Sequence, residues 1–300
     1  MRNMGNGKKI DPCAIRAIAI DLDGTVLLAD STIGSRTAGC IKRLLADGIQ
    51  VIVCTGRAVG SAVGYCRELG ATGAMVFFNG AVIADPASAA ASVSADGTVR
   101  LNLMPSEVAV YGAEVARDMD VHYQAFFPAP PAPGGGGGFA EILVTEKPRP
   151  ESEIYRKQTG VVPVVANIGE IASSGKTGGA IKSMFIADPS THDEILERMT
   201  RRFGDEIYMP RTHPTYLEVL KAGVSKGEGL KTVMELRGLR PREVIAFGDE
   251  ENDLPMFAAA GFSAAPANAR EKVRAAADLV IGPNTEEGVA DFLEKTFAPR

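Results

Sequence analysis

Three hundred residues, 45% hydrophobic and 23% charged, describe a soluble globular chain long enough for one large domain or two modest ones. A net charge of −5 and the lack of a basic stripe argue against a nucleic-acid binder, and no apolar run approaches the ~18 residues of a membrane-spanning helix. Small anionic substrates stay open, because a metal-loaded site can be locally positive on an acidic protein.

The N-terminus, MRNMGNGKKIDPC, is basic but lacks the apolar run of a signal peptide, so the cytoplasm is the expected compartment. Cys13, Cys40, Cys54 and Cys66 are widely spaced with no C-x-x-C, which predicts reduced thiols and neither a disulfide framework nor a zinc site. His122, His192 and His213 show no metal-ligand spacing on one face.

Taken in order, Ala14 to Ile20 is a short apolar run ending in the acidic turn Asp21-Leu22-Asp23-Gly24-Thr25. Ser35 to Asp47 has helical spacing at Ile41, Leu44 and Leu45, and Gly48 stands where a helix C-terminal glycine belongs. Ile49 to Cys54 is a β-branched run, followed by Thr55-Gly56-Arg57 and a helical stretch to about Leu69. Ala74 to Phe78 predicts a third strand ending at Asn79-Gly80. Strands alternating with helices predict βαβ units and a parallel sheet.

From 84 to 222 the pattern changes to an inserted α+β domain. Strands are predicted at Thr98 to Leu103, Glu141 to Thr145, Lys182 to Ile186 and Tyr216 to Leu220, and helices at Ser106 to Arg117 and His192 to Phe203. Within it, Pro128 to Gly138 (PAPPAPGGGGG) reads as a low-complexity surface loop, and Ser173 to Gly179 as a second loop. GEIASSGKT from Gly169 to Thr177 is not a P-loop: five residues separate Gly169 from Gly175, where that pattern has four. The first rhythm then returns. Ser225 to Leu236 is a predicted helix with Ser225 and Glu228 at capping-box spacing. Val244 to Phe247 is a buried strand ending at Gly248-Asp249, Leu254 to Ala260 a helix, and Leu279 to Ile281 a last strand.

Four carboxylates, Asp21, Asp23, Asp249 and Asp253, stand at or just after predicted strand ends, where open parallel sheets bind ligands. Singly, each has an ordinary role. Asp23-Gly24 suits a turn, acids at Asp249 to Asp253 suit a helix start, and Thr55 suits a cap. Lys226 is different, because a cation in a helix's first turn opposes the dipole and points to an anion nearby. If both halves share one sheet, the carboxylates converge, and a divalent cation of Mg²⁺ type compensates their repulsion.

The ordered set DLDGT at 21–25, CTGR at 54–57, Lys226 in VSKGEGL and GDEENDLPMF at 248–257 resembles the haloacid dehalogenase (HAD) superfamily. FFNGAV at 77–82, the large insertion and the GDxxND pattern look like its Cof-type, or IIB, sugar-phosphatase branch. The resemblance implies a Rossmann-like parallel-sheet core, residues 1–83 and 223–300, with an inserted α+β cap at 84–222. It implies a Mg²⁺-dependent phosphatase of small phosphomonoesters, sugar phosphates first, working through an aspartyl-phosphate. Asp21 would be the nucleophile and Asp23 the general acid and base. Thr55 and Lys226 would hold phosphoryl oxygens. Asp21, the backbone carbonyl of Asp23, and Asp249 would bind Mg²⁺, with Asn252 and Asp253 behind them. Gly56, Asn79 and Gly80 would line the substrate entrance. The cap would supply specificity; its His122, Tyr123, Arg211 and His213 read more naturally as structural or exposed residues. A phosphomutase, or a non-catalytic phosphate-ligand-binding protein, would share the scaffold. The implied partner is a small phosphorylated metabolite, with no nucleic acid or membrane and a monomer or small homo-oligomer as the assembly.

Overall fold

The computed structural model describes residue 8 and residues 10–85, 100–129, 139–175 and 177–298. The chain divides into two compact units: Met1–Arg57, Ala62–Ala87 and Ser225–Arg300 form one, and Ala58–Ser61 with Ser88–Val224 the other.

The first unit opens with β1 (Ala17–Ile20), α1 (Ser35–Ala46), β2 (Gln50–Val53), α2 (Val59–Leu69), β3 (Met75–Phe77) and β4 (Val82–Ala84). It is completed by the C-terminal elements described below. α1 buries Thr37, Cys40, Ile41 and Leu44, spaced three and four apart along one face, and Gly48 leaves it at φ 83°.

The second unit carries β5 (Arg100–Leu101), α3 (Ser106–Asp118), β6 (His122–Ala129), β7 (Ala140–Thr145), α4 (Pro150–Thr159), β8 (Val164–Val165) and α5 (Ile168–Ser173). β9 (Lys182–Ile186), α6 (His192–Phe203), β10 (Ile207–Tyr208), β11 (Arg211–His213) and β12 (Tyr216–Lys221) follow. Its sheet runs β10-β12-β9-β6-β7-β8 with β11 against β12, and every pairing but β7 with β8 is antiparallel. Residues of α3, α5 and α6 share one apolar cluster with alternate residues of the strands, such as Tyr123, Ala125, Phe127, Phe185, Leu217 and Val219. The intervening positions hold a buried ion pair, Lys182 Nζ to Glu218 Oε1 at 2.8 Å. GEIASSGKT begins inside α5, and Lys176 lies outside the described residues, as do 98–99 and 130–138 of the segments named above.

Back in the first unit come α7 (Lys226–Arg237), β13 (Val244–Phe247), α8 (Leu254–Ala259), β14 (Phe262–Pro266), α9 (Glu271–Ala276), β15 (Leu279–Ile281) and α10 (Gly288–Thr296). The five-stranded sheet is parallel throughout, in the order β15-β14-β13-β1-β2. A single parallel bridge, Cys54 to Val76, sets β3 beside β2, and β3 pairs antiparallel with β4. β1 and β13 are buried at every position, the pattern of strands covered on both faces. Ala17, Ala19, Val244 and Ala246 pack under Leu230, Val233 and Met234 of α7, while Phe247 meets Phe292 of α10 at 5.4 Å on the other face.

α7 is tight against its neighbours. A Cβ on Gly227 would lie 2.3 Å from Pro255 O. Each helical glycine costs roughly 1 kcal/mol in propensity. The fully buried Leu230 and Val233 on the same helix each contribute about 1.5–3 kcal/mol, so close approach wins. Ser225 caps the helix, its Oγ accepting the Glu228 N–H at 3.1 Å, but Glu228 pairs with Lys231 instead of closing a capping box. Cys13 is exposed and the other three cysteines are buried thiols. No helix among the described residues is long and apolar enough to cross a membrane.

Candidate active site

β1 and β13 lie side by side with Ile20 opposite Phe247, so the acidic turns that follow them meet at one sheet edge. Asp21 is anchored by donating its N–H to Phe247 O at 3.0 Å. Beyond Asp249, the turn Glu251–Asp253 folds Asp253 back, where its Oδ2 accepts the N–H groups of Asp249 (2.9 Å) and Glu250 (3.0 Å). Lys226, the first residue of α7, reaches in from a third direction. Its Nζ lies 2.7 Å from both Asp21 Oδ1 and Asp253 Oδ1, and none of the three side chains is more than 6% exposed. This answers the anomaly of a cation in a first helical turn.

Asp21, Asp249 and Asp253 offer oxygens all within 4.8 Å of one another. Burial raises the Asp21 pKa well above the carboxylate range, Lys226 pulls it down, and the neighbouring carboxylates raise it. Burial, with the charge of Asp253 second, pushes Asp249 up to about 7, although Thr25 donates its hydroxyl to Asp249 Oδ1 at 2.9 Å. Burial works against the Lys226 ammonium, but Asp21 and Asp253 more than offset it and move it upward. One ammonium does not balance three crowded carboxylates. A set of hard oxygen donors with residual negative charge fits Mg²⁺. Asp253 is already committed, one oxygen to Lys226 and the other to two amides, which leaves Asp21 and Asp249 as the side chains open to a cation.

The sequence model of haloacid dehalogenase-like hydrolases matches residues 18–126 and 139–293, covering both units. The chain belongs to this family. The hydrolase is 30% identical over 297 residues to the 5-amino-6-(5-phospho-D-ribitylamino)uracil phosphatase YitU of Bacillus subtilis, a match covering 94% of this chain and 97% of that one. Among solved structures it resembles TM0651 from Thermotoga maritima, with a TM-score of 0.77, 30% identity and 94% and 97% of the two chains covered. It shares the fold of the HAD subclass IIB sugar phosphatase BT4131, with a TM-score of 0.74, 20% identity and 93% and 98% coverage.

Other sequence-predicted residues of this HAD hydrolase fall around the cluster. Thr55 is fully buried just past β2, next to Asp21's strand, since Cys54 donates its N–H to Ile20 O at 2.8 Å. Thr55 Oγ1 accepts the Arg57 N–H at 3.1 Å, which occupies a lone pair and leaves the hydroxyl proton for another acceptor. Asp23 stands outside the cluster, its carboxylate turned to Arg57. Asn79 N–H bonds Thr55 O at 3.0 Å, and Asn79 Oδ1 accepts from Asn252 Nδ2 at 3.0 Å, so one loop ties the Thr55 turn to the Asp249 turn. Asn252 Oδ1 is buried with no protein partner among the described residues. Gly56 packs on Asn79, where a Cβ would come within 3.0 Å of Asn79 Oδ1. Gly80 is a packing residue in this geometry: at φ 100°, a Cβ there would sit 2.3 Å from Ser225 O. The same argument explains Gly24, at φ 72°, where a Cβ would strike Asp249 Oδ2 at 2.1 Å.

In the second unit, His122 is buried against Gln124 at 3.2 Å, Tyr123 is buried, Arg211 pairs with Asp193, and the exposed His213 ring lies tilted against Tyr216 with centroids 4.6 Å apart. These are structural or surface roles. Sequence reasoning missed Arg57, Thr25 and Asn268, whose Nδ2 donates to Gly24 O at 2.8 Å. Arg57 and Thr25 lie inside CTGR and DLDGT, so a signal was present; Asn268 has none.

Proposed function

We propose that this HAD hydrolase is a Mg²⁺-dependent phosphatase of small phosphomonoesters, sugar or sugar-alcohol phosphates first. The observation that carries it is the buried Lys226 held between Asp21 and Asp253 beside Asp249. It is an arrangement that keeps one carboxylate reactive next to positive charge and reserves the others for a cation. The phosphorylated ribityl group in the name of the Bacillus relative, and the sugar-phosphatase title of a structural neighbour, support the substrate class.

In this reading an Asp21 oxygen attacks phosphorus and the bond to the leaving oxygen breaks. That oxygen takes a proton from Asp23, and an acyl phosphate remains on Asp21. Water then attacks the same phosphorus, giving its proton to the Asp23 carboxylate, and the bond to Asp21 breaks to release phosphate. Lys226 and the Thr55 hydroxyl hold phosphoryl oxygens as charge spreads over them. Asp21, Asp249 and the Asp23 carbonyl would hold Mg²⁺, with Asp253 fixing Lys226 and the Asp249 amide. Bound there, the metal supplies charge neutralisation for the transferring phosphoryl group. Asn252 Oδ1, left over by the protein, is an acceptor for water in this shell.

The test is phosphate release from sugar phosphates, ribitol phosphate and pyridoxal phosphate with Mg²⁺ and with EDTA. No release from any ester in the presence of Mg²⁺ would sink the reading. A second outcome is expected from thermal unfolding. A carboxyl raised to about 7 in the fold keeps its proton at pH values where the unfolded chain has lost it. The metal-free protein therefore holds that stabilisation at low pH and loses it as the pH rises through 7. Mg²⁺ must displace the same proton, so its effect on Tm grows from pH 6 to pH 8. A hundredfold excess over Kd at pH 8 adds about 2.7 kcal/mol. An equal Mg²⁺ increment at both pH values would refute the ligand assignment.

A further inference from the structure

We propose that Arg57 is the positioning residue for the acid–base carboxylate Asp23, aiming it at the leaving oxygen and at the attacking water. The proposal rests on the phosphatase reading and adds to it a residue that the motif roles left unassigned.

Asp23 needs such a guide. Its side chain is 57% exposed, and its one side-chain partner among the described residues is Arg57. Arg57 grips both oxygens, Nε to Oδ2 at 2.7 Å and Nη2 to Oδ1 at 2.5 Å, the forked geometry that fixes a carboxylate in plane as well as in place.

An exposed Arg–Asp pair is ordinarily of little consequence. Three observations separate this one. The Arg57 side chain is only 14% exposed. Its guanidinium lies over the Tyr65 ring, 5.2 Å from the centroid, and Tyr65 is itself tied down by donating its hydroxyl to Ser31 O at 3.0 Å. Its backbone is held at both ends, the N–H by Thr55 Oγ1 at 3.1 Å and the carbonyl by Phe78 N–H at 3.0 Å. The guanidinium is therefore a fixed point and the carboxylate is the movable partner. The same residue sets Thr55, so the phosphoryl donor and the acid–base group share one support.

During the first step Asp23 carries its proton on one oxygen while Arg57 retains the other. The proton passes to the departing oxygen as its bond to phosphorus breaks, and both Asp23 oxygens return to the fork. During the second step the ionised carboxylate takes a proton from the attacking water. Arg57 exchanges no atom in either step.

The experiment compares the enzyme with Arg57→Ala, Arg57→Lys, Asp23→Asn and the double variant Asp23→Asn/Arg57→Ala, reading KM and the single-turnover rate of alcohol or phenol release, which reports the first step apart from the dephosphorylation common to every ester. The substrates are p-nitrophenyl phosphate, whose leaving group departs without a proton, and phenyl phosphate and glycerol phosphate, whose leaving groups need one. Arg57→Ala is expected to lower that first-step rate on the two demanding esters by about 10- to 100-fold, at or below the bottom of the range for a lost general acid, because Asp23 is displaced and not removed, and on p-nitrophenyl phosphate by no more than about 5-fold. Arg57→Lys, which keeps the charge and loses the fork, falls between. In the Asp23→Asn background, removing Arg57 adds little further loss, because the residue it acts through is already gone. The ratio of rates on two substrates is independent of how much of a preparation is folded, so a destabilised variant still decides the question. Equal losses on all three esters, or losses that multiply in the double variant, overturn the proposal. If Asp23→Asn itself shows no dependence on leaving group, the acid–base role of Asp23 falls and the proposal falls with it.

Discussion

Asp21→Asn is expected to abolish phosphate release, with kcat reduced by at least ~10⁴-fold, the scale of losing a nucleophile. The amide is nearly the same size, and its oxygen still accepts a hydrogen bond from Lys226. It lacks the charge to attack phosphorus. The fold should be unharmed, because Lys226 keeps Asp253 as a charged partner at 2.7 Å and one of several crowded carboxylates has been neutralised. The relevant measurements are single-turnover phosphate release and the thermal midpoint with and without Mg²⁺. Release within tenfold of the parent would remove Asp21 from the nucleophile's role. A collapse of the thermal midpoint would instead show that its charge is needed for structure.

Lys226→Met should damage both stability and rate. Methionine fills similar space but leaves Asp21 and Asp253 facing each other, fully enclosed and without their shared ammonium. Removing one partner of a buried pair costs about 3–5 kcal/mol. The burial that already raises Asp21 is then unopposed by Lys226, so Asp21 is expected to hold a proton more tightly than in the parent. Urea unfolding should show the loss, and Mg²⁺ should restore part of it by supplying replacement charge. Phosphate release should fall by roughly 10²–10³-fold even at saturating Mg²⁺, because a preorganised cation at the phosphoryl oxygens is gone. A variant as stable as the parent would mean that the carboxylates do not depend on this cation.

The parts of the fold readable from the chain are those where burial writes directly into composition. β1, β2 and β13 are covered on both faces and appear as short apolar runs, each broken by a turn that carries the chemistry. β14 escaped because Phe262–Pro266 is built of small residues, Ser263, Ala264 and Ala265, with a terminal proline and no β-branched signature. β6 was hidden by His122, Gln124 and Pro128, polar or strand-averse residues that its antiparallel neighbours accommodate. α4 is polar along most of its length and buries only Ser152 and Tyr155, too little for a visible apolar stripe. The site divides in the same way. Asp21, Thr55, Lys226 and Asp249 could be picked out by type and by position at element ends. That Thr25 would meet Asp249, 224 positions away, or Arg57 meet Asp23, 34 away, depends on which strands are neighbours. Strand order leaves no trace in periodicity.

The place of β1 between β13 and β2 also bears on how the chain is made. A ribosome releases Ala17–Ile20 long before Val244–Phe247, the strand that covers one of its edges. For that interval the backbone groups along that edge have no native partner, and an open edge of apolar residues is a template for other nascent chains. The sheet of the second unit draws all its strands from between β6 and β12, so its pairing can close while the first is still waiting. Long-range parallel pairing is slow to form. Truncation anywhere before Phe247 should therefore yield insoluble protein and not a partly active enzyme.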